Sequence, residues 1–141
     1  MSTVYQRIHD SFIRQGMMQH LGAQLARVEP GLVEIILPYS DKVTQQQDGF
    51  HGGAMGAVAD IAGGYAALTV APEGMEVTTV EYKINFLSSF SGGELRAIGR
   101  VVKAGRRLII TTAEVDHVDE TGKVSPCALM QQTLIPVNKT Y

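Results

Sequence analysis

The sequence predicts an α+β fold in which a curved, mostly antiparallel sheet wraps one long buried helix. Three observations carry this reading. The run from about His51 to Val70 is nearly free of charge and long enough for about five helical turns. Four segments of strand character follow it with no helix between them, a meander rather than the alternation that builds a parallel sheet. An amphipathic helix and a strand pair precede it. With 141 residues, 45% of them hydrophobic, the chain suits one core, and residues 1–141 are expected to form a single domain.

Taken in order, Val4, Ile8, Phe12, Ile13 and Met17 recur at helical spacing between Gln6, Arg7, Asp10 and Arg14, so residues 1–20 are expected to hold one amphipathic helix. Glu29-Pro30-Gly31 is a turn signal between strands at Gln24–Val28 and Leu32–Leu37. Pro38 to Gly49 is polar and reads as the loop feeding the central helix. Beyond that helix, Val80, Tyr82, Ile84 and Phe86 alternate with Thr79, Glu81, Lys83 and Asn85, the period of a long half-buried strand. Strands at Glu94–Lys103, Leu108–Val115 and about Pro126–Pro136 complete the set, and the tail after Val137 is expected to be loose.

The central run, residues 51–70, holds the chemistry-bearing residues. Its single charge is Asp60, and the residues three and four positions away on a helix are Gly56, Ala57, Gly63 and Gly64. Each glycine costs about 1 kcal/mol against alanine in a helix interior. That expense implies close approach of another backbone or of a ligand reaching for the carboxylate. Met55, Val58, Ile61, Tyr65 and Leu68 lie on other faces and suit burial. At the start of the run, the free amides of Gly52 and Gly53 beside His51 form a positive pole able to hold an oxyanion. His51 and Asp60 are separated by about 14 Å of helical rise and about half a turn. They cannot meet at one atom within one chain, so a shared site requires a second copy and predicts a two-fold dimer.

A net charge of −2 gives no electrostatic reason to bind nucleic acid or an anionic membrane. The lone Cys127 cannot form an internal disulfide and is read as a small core residue. Without an apolar leader at the N-terminus, a cytoplasmic location is expected. The apolar run from Ala54 to about Ala71 approaches membrane-spanning length, but its central acid favours a helix buried in protein. No nucleophilic serine elbow, zinc-ligand spacing, phosphate loop or dinucleotide fingerprint is present. Lys103, Arg106 and Arg107 cluster at a turn, as an exposed hairpin tip or as a contact for substrate phosphates.

The ordered set His51-Gly52-Gly53, Asp60 nine residues on, Thr78 to Leu87, and Ala104-Gly105-Arg106-Arg107 resembles the hotdog-fold acyl-CoA thioesterases of the phenylacetate-pathway (PaaI-like) type. The resemblance spans about Leu21 to Ile135. It implies dimers joined edge to edge, often paired into tetramers, with active sites at the dimer interface. By position, Asp60 would be nucleophile or general base and the Gly52 amide would polarise the thioester carbonyl from the partner chain. His51 would hold the loop or contact the thioester, and Thr79 would help place the attacking water. Gln45 falls at the spacing of a family amide, with Gln46 or Gln47 as alternatives. Gly53 and Gly64 would admit substrate, and Arg106 and Arg107 would meet the coenzyme A phosphates. No cofactor is implied, since coenzyme A is part of the substrate. The competing reading is a non-catalytic acyl-CoA binding or sensing module on the same fold, and Asp60 argues against it because binding alone needs no acid there.

Overall fold

The computed structural model describes residues 3–141, and among these it places three helices and six strands. Helices α1 (Thr3–Phe12) and α2 (Gly16–Leu21) lead into strands β1 (Gln24–Glu29) and β2 (Leu32–Pro38). The central helix α3 (Gly52–Val70) follows, then β3 (Met75–Phe86), β4 (Glu94–Ala104), β5 (Ile109–Val118) and β6 (Val124–Asn138). All strand pairs are antiparallel, in the order β1-β2-β4-β5-β6-β3. The sheet curves around α3, which is the hotdog architecture.

Helix α3 is apolar on almost every side, the mark of a helix enclosed by protein. Ala54, Met55, Val58, Ala59, Ala62, Tyr65, Ala66, Ala67 and Leu68 are all buried on it. They pack against inward residues of the sheet such as Ile35, Leu37, Leu95, Ala97, Val115 and Leu134. By length and composition α3 could cross a bilayer, but here it lies mostly buried within the sheet. One approach is unusually close: a Cβ built on Gly99 of β4 would fall 2.2 Å from the Ala62 carbonyl oxygen. Only hydrogen fits there, and helix and sheet meet backbone to backbone.

Three expectations are corrected. The N-terminal helix is two helices, because after Ile13 the backbone tightens to Arg14 N–H donating to Ser11 O and Gln15 N–H to Phe12 O. Gln15 is then extended, with φ −82° and ψ 101°. The break lets Ser11 and Gln15 both reach the Tyr65 hydroxyl, at 3.0 and 2.7 Å. Gly16 therefore opens α2 rather than closing a single helix. Strand β6 begins before Pro126, which sits where the register shifts between Val115 and Asp116; a bulge accommodates a residue with no N–H to give the ladder. The tail is held: the Arg14 guanidinium lies 4.4 Å from the centre of the Tyr141 ring, and the Tyr141 hydroxyl donates to Glu76.

The sheet's two edges differ. Strand β1 is six residues long, with a bulge between Leu25 and Arg27. Strand β3 has twelve residues, bonds only to β6 on one side, and leaves Val80, Tyr82 and Phe86 about half exposed.

Candidate active site

The site is built where α3 passes β3 and β6. Asp60 projects from the middle of α3, and the Thr79 hydroxyl of β3 donates to its Oδ1 at 2.8 Å. From β6, the Gln132 side-chain amide donates to the same oxygen and, at 2.9 Å, to Thr79 Oγ1. On its far side the Gln132 carbonyl accepts the Thr111 hydroxyl of β5 at 2.8 Å. Gln132 and Thr111 are fully buried. Asp60 Oδ2 accepts nothing among the described residues, and it is not among the buried atoms left without a partner. It is the open end of an otherwise saturated group.

This arrangement fixes both charge and direction. Burial raises the Asp60 pKa above its ordinary 3.8, and the hydrogen bonds from Thr79 and Gln132 oppose the rise. Removing water from the carboxylate disfavours its charged form more than the two donors restore it. A raised pKa makes a carboxylate a stronger base once ionised, which suits proton abstraction.

Beside Asp60 lies a hollow of about 300 Å³, lined also by Ile61, Gly64, Tyr65, Thr79, Glu76 and Leu134. A larger hollow of about 810 Å³ lies between α1, the α3–β3 turn and the C-terminal residues. Its only arginine, Arg7, is spent on the carbonyls of Ala71, Pro72 and Met75. The smaller hollow, with a carboxylate, a hydroxyl and a thin glycine wall, is the one equipped for chemistry.

The small residues around Asp60 divide between two duties. Gly53, Ala57 and Gly64 share the accessible stripe of α3 with Asp60, whereas Gly56 and Gly63 are buried on other faces. A Cβ on Gly63 would collide with Gln132 Oε1 at 2.2 Å and Thr111 Oγ1 at 2.8 Å. Gly63 therefore makes room for the amide that holds Asp60, and Gly64 lines the hollow.

At the other end, His51 caps α3, with its Nδ1 accepting the Gly53 N–H at 2.7 Å. Accepting at Nδ1 fixes the neutral ring with its proton on Nε2, which is left as a donor. Gly53's amide is thus occupied, while Gly52's donates to nothing among the described residues; the Phe86 ring packs where a Gly52 side chain would stand. Of the three glutamines, Gln45 is half-buried and folds its side-chain oxygen onto the Gln47 amide, while Gln46 and Gln47 are exposed. Arg106 and Arg107 are exposed on the β4–β5 turn. Within one chain the structure thus brings Asp60, Thr79 and Gly64 together, and leaves His51, Gly52, Gln45, Gln46, Gln47, Arg106 and Arg107 elsewhere.

Sequence reasoning missed Gln132, Thr111 and the Ser11–Gln15–Tyr65 cluster. The available signal was phase: Ala128, Met130, Gln132 and Leu134 share the inward register of β6, and a glutamine there must be satisfied inside. Cys127, expected in the core, is buried between Met55 Sδ and the Ser88 carbonyl, and its thiol is pushed up to about 11.

Comparison with known proteins gives the family. The thioesterase superfamily profile matches residues 49–123, more than half the chain. The chain belongs to the thioesterase superfamily. Among individual relatives, it is 38% identical to a thioesterase family protein from Silicibacter pomeroyi, with a TM-score of 0.92 over 96% of this chain and 99% of that one. It is 31% identical to the proofreading thioesterase EntH of Klebsiella pneumoniae, over 76% of this chain and 77% of that protein. The PaaI protein of the E. coli phenylacetic acid degradation operon shares the fold, with a TM-score of 0.83 at 21% identity, covering 97% and 95% of the two chains.

Proposed function

We propose that this protein hydrolyses acyl-CoA thioesters, with Asp60 as the working carboxylate at a site completed by a second copy of the chain. The observation that carries the proposal is the bare Oδ2 of a half-buried, doubly hydrogen-bonded Asp60 lining a hollow. Oδ2 takes the proton of a water attacking the thioester carbonyl; the C–S bond then breaks, the acid forms, and the proton passes to the departing thiolate of coenzyme A. Alternatively Oδ2 attacks that carbon itself, the C–S bond breaks to leave a mixed anhydride on Asp60, and water hydrolyses the anhydride, its proton going to the thiolate. The Thr79 hydroxyl has given its proton to Asp60 and accepts from Gln132, so it can receive a water's hydrogen but not donate one.

The expected oxyanion donor, the Gly52 amide, opens α3 eight residues before Asp60 and so lies at the far end of the helix within one chain. An unpaired β3 edge supports a copy as the source. Along β3, Thr79 lies beside Asp60, Tyr82 beside Gly56 and Phe86 beside Gly52, so α3 and β3 run in opposite directions. Pairing β3 with its copy about a two-fold axis would bring the far end of that strand alongside Thr79. The partner's Gly52 amide would then approach Asp60, with the partner's His51 next to it. An oxyanion donor so placed is worth about 3 to 4 kcal/mol in the transition state. A dimer of such dimers, contact between Arg106 or Arg107 and the coenzyme A phosphates, and a cytoplasmic setting belong to the same reading.

Steady-state hydrolysis of aromatic, short-chain and medium-chain acyl-CoA thioesters by the wild type and by Asp60→Asn tests it. Asp60→Asn is expected to lower kcat/KM by about 100-fold or more, the range lost with a positioned acid–base group. Equal rates in the two proteins would defeat the assignment of Asp60. Tight acyl-CoA binding without turnover in either would favour the sensing module instead.

A further inference from the structure

We propose that Gln132 is a positioning residue: locked by Thr111, its carboxamide clamps one oxygen of Asp60 and leaves the other free to react. The inference rests on the reading of Asp60 as the working carboxylate, and it adds the device that keeps that group oriented and ionised in a buried place.

The argument starts from donors and acceptors. A glutamine amide can turn end for end, and only one orientation serves Asp60. Asp60 selects it and Thr111 secures it. The carboxylate only accepts, so the reversed amide would set oxygen against oxygen, and the Thr111 hydroxyl, which donates to Gln132 Oε1, would lose that acceptor. In the observed orientation the amide nitrogen reaches Asp60 Oδ1, the Asp60 backbone carbonyl at 3.3 Å, and Thr79 Oγ1. Thr79 in turn donates to the same Oδ1. Asp60, Thr79 and Gln132 form a closed ring of hydrogen bonds from α3, β3 and β6, with Thr111 of β5 as its anchor.

Space has been reserved for this ring. Gly63 stands where any side chain would strike Gln132 Oε1 and Thr111 Oγ1. A glycine in the middle of a helix is destabilising against alanine, and at this position it accommodates the amide. An apolar residue at 132 would continue the inward pattern of Ala128, Met130 and Leu134 without leaving a polar group to satisfy. Core packing alone therefore does not explain Gln132.

Among the described residues no cation lines the hollow beside Asp60. The other titratable groups on its hollow are Glu76 of β3 and Tyr65 of α3, and neither is positive. The only influences lowering the Asp60 pKa are its hydrogen bonds from Thr79 and Gln132. Withdrawing the amide should push the carboxyl further toward its neutral form.

The test follows the Asp60 carboxyl itself, by 13C NMR titration of aspartate side chains, alongside pH profiles of kcat/KM. Gln132→Met keeps length and volume and removes the donor; the Asp60 titration is expected to rise by about one pH unit, carrying the acid limb of the profile with it. Gln132→Glu, which adds a second acid, should shift it further. Thr111→Val leaves the amide in place but unlocked, gives a smaller shift in the same direction, and serves if the Gln132 variants fold poorly. An Asp60 titration and acid limb unmoved in these variants would overturn the proposal, whatever happens to melting temperature. If the titration moves as expected while Asp60→Asn hydrolyses thioesters normally, the clamp stands and the catalytic reading of Asp60 falls.

Discussion

Gly63 and Gly64 are neighbours on α3 and do opposite work. The first faces inward, where a methyl group would strike Gln132 and Thr111; the second faces the hollow, where the nearest contact for a Cβ is Leu134 Cδ2 at 3.8 Å. One glycine exists because a polar clamp occupies its space, the other beside space kept empty. The same helix thus has a face specified by what it touches and a face specified by what it leaves open. Composition alone cannot tell the two apart.

The sharpest way to break the contrast is to add one methyl group on each side. Gly63→Ala is expected to destabilise by about 1 to 3 kcal/mol, the usual cost of overfilling a packed site, and to reduce hydrolysis by displacing Gln132; chemical denaturation and kinetics on the same samples would register both. His51→Ala removes the side-chain cap from the Gly53 amide and should cost about 1 kcal/mol, read from the same denaturation curves. Gly64→Ala should leave the fold intact and stabilise it by about 0.5 to 1 kcal/mol through helix propensity. If Gly64→Ala proved as damaging as Gly63→Ala, the distinction between the two faces would be wrong.

A smaller effect concerns pH. Burial makes Asp60 harder to ionise in the folded protein than in the unfolded chain, so the folded state binds the proton more tightly. The sign follows directly: Asp60's contribution to stability is fully present below 3.8 and is lost as pH rises through its elevated folded value. Asp60→Asn cannot ionise and should therefore melt slightly higher than wild type at neutral pH while hydrolysing poorly. Thermal melts across the acid range should show the two proteins converging toward low pH.

These contrasts also mark how far the sequence could be read. The period of two from Val80 to Phe86 located β3, although Val80, Tyr82 and Phe86 on that face lie exposed along the unpaired edge; the low polarity of residues 51–70 located α3, whose apolar side chains are buried. Asp60 was legible as the one charge in an apolar run. The glycines around it announced close approach, yet not which of them met protein and which met open space, since that depends on how the sheet curves over α3. Gln132 was hidden among Gln131 and Thr133, where a polar cluster in a strand looks like an exposed stretch. The break at Ile13–Gln15 is set by a hydroxyl on Tyr65, fifty residues away in sequence, and no local signal encodes it.

The strand order has a consequence for biogenesis. Strand β3, which carries Thr79, hydrogen-bonds only to β6, the last strand to be synthesised. A growing chain therefore exposes β3 unpaired until β6 leaves the ribosome, and pairings so distant in sequence are slow to form. Polypeptides cut short before Val124 would lack both the strand that shields β3 and the amide that grips Asp60. Products lacking β6 would expose a long unpaired strand prone to aggregation, and the hydrogen-bonded ring around Asp60 closes only once β6 has been made.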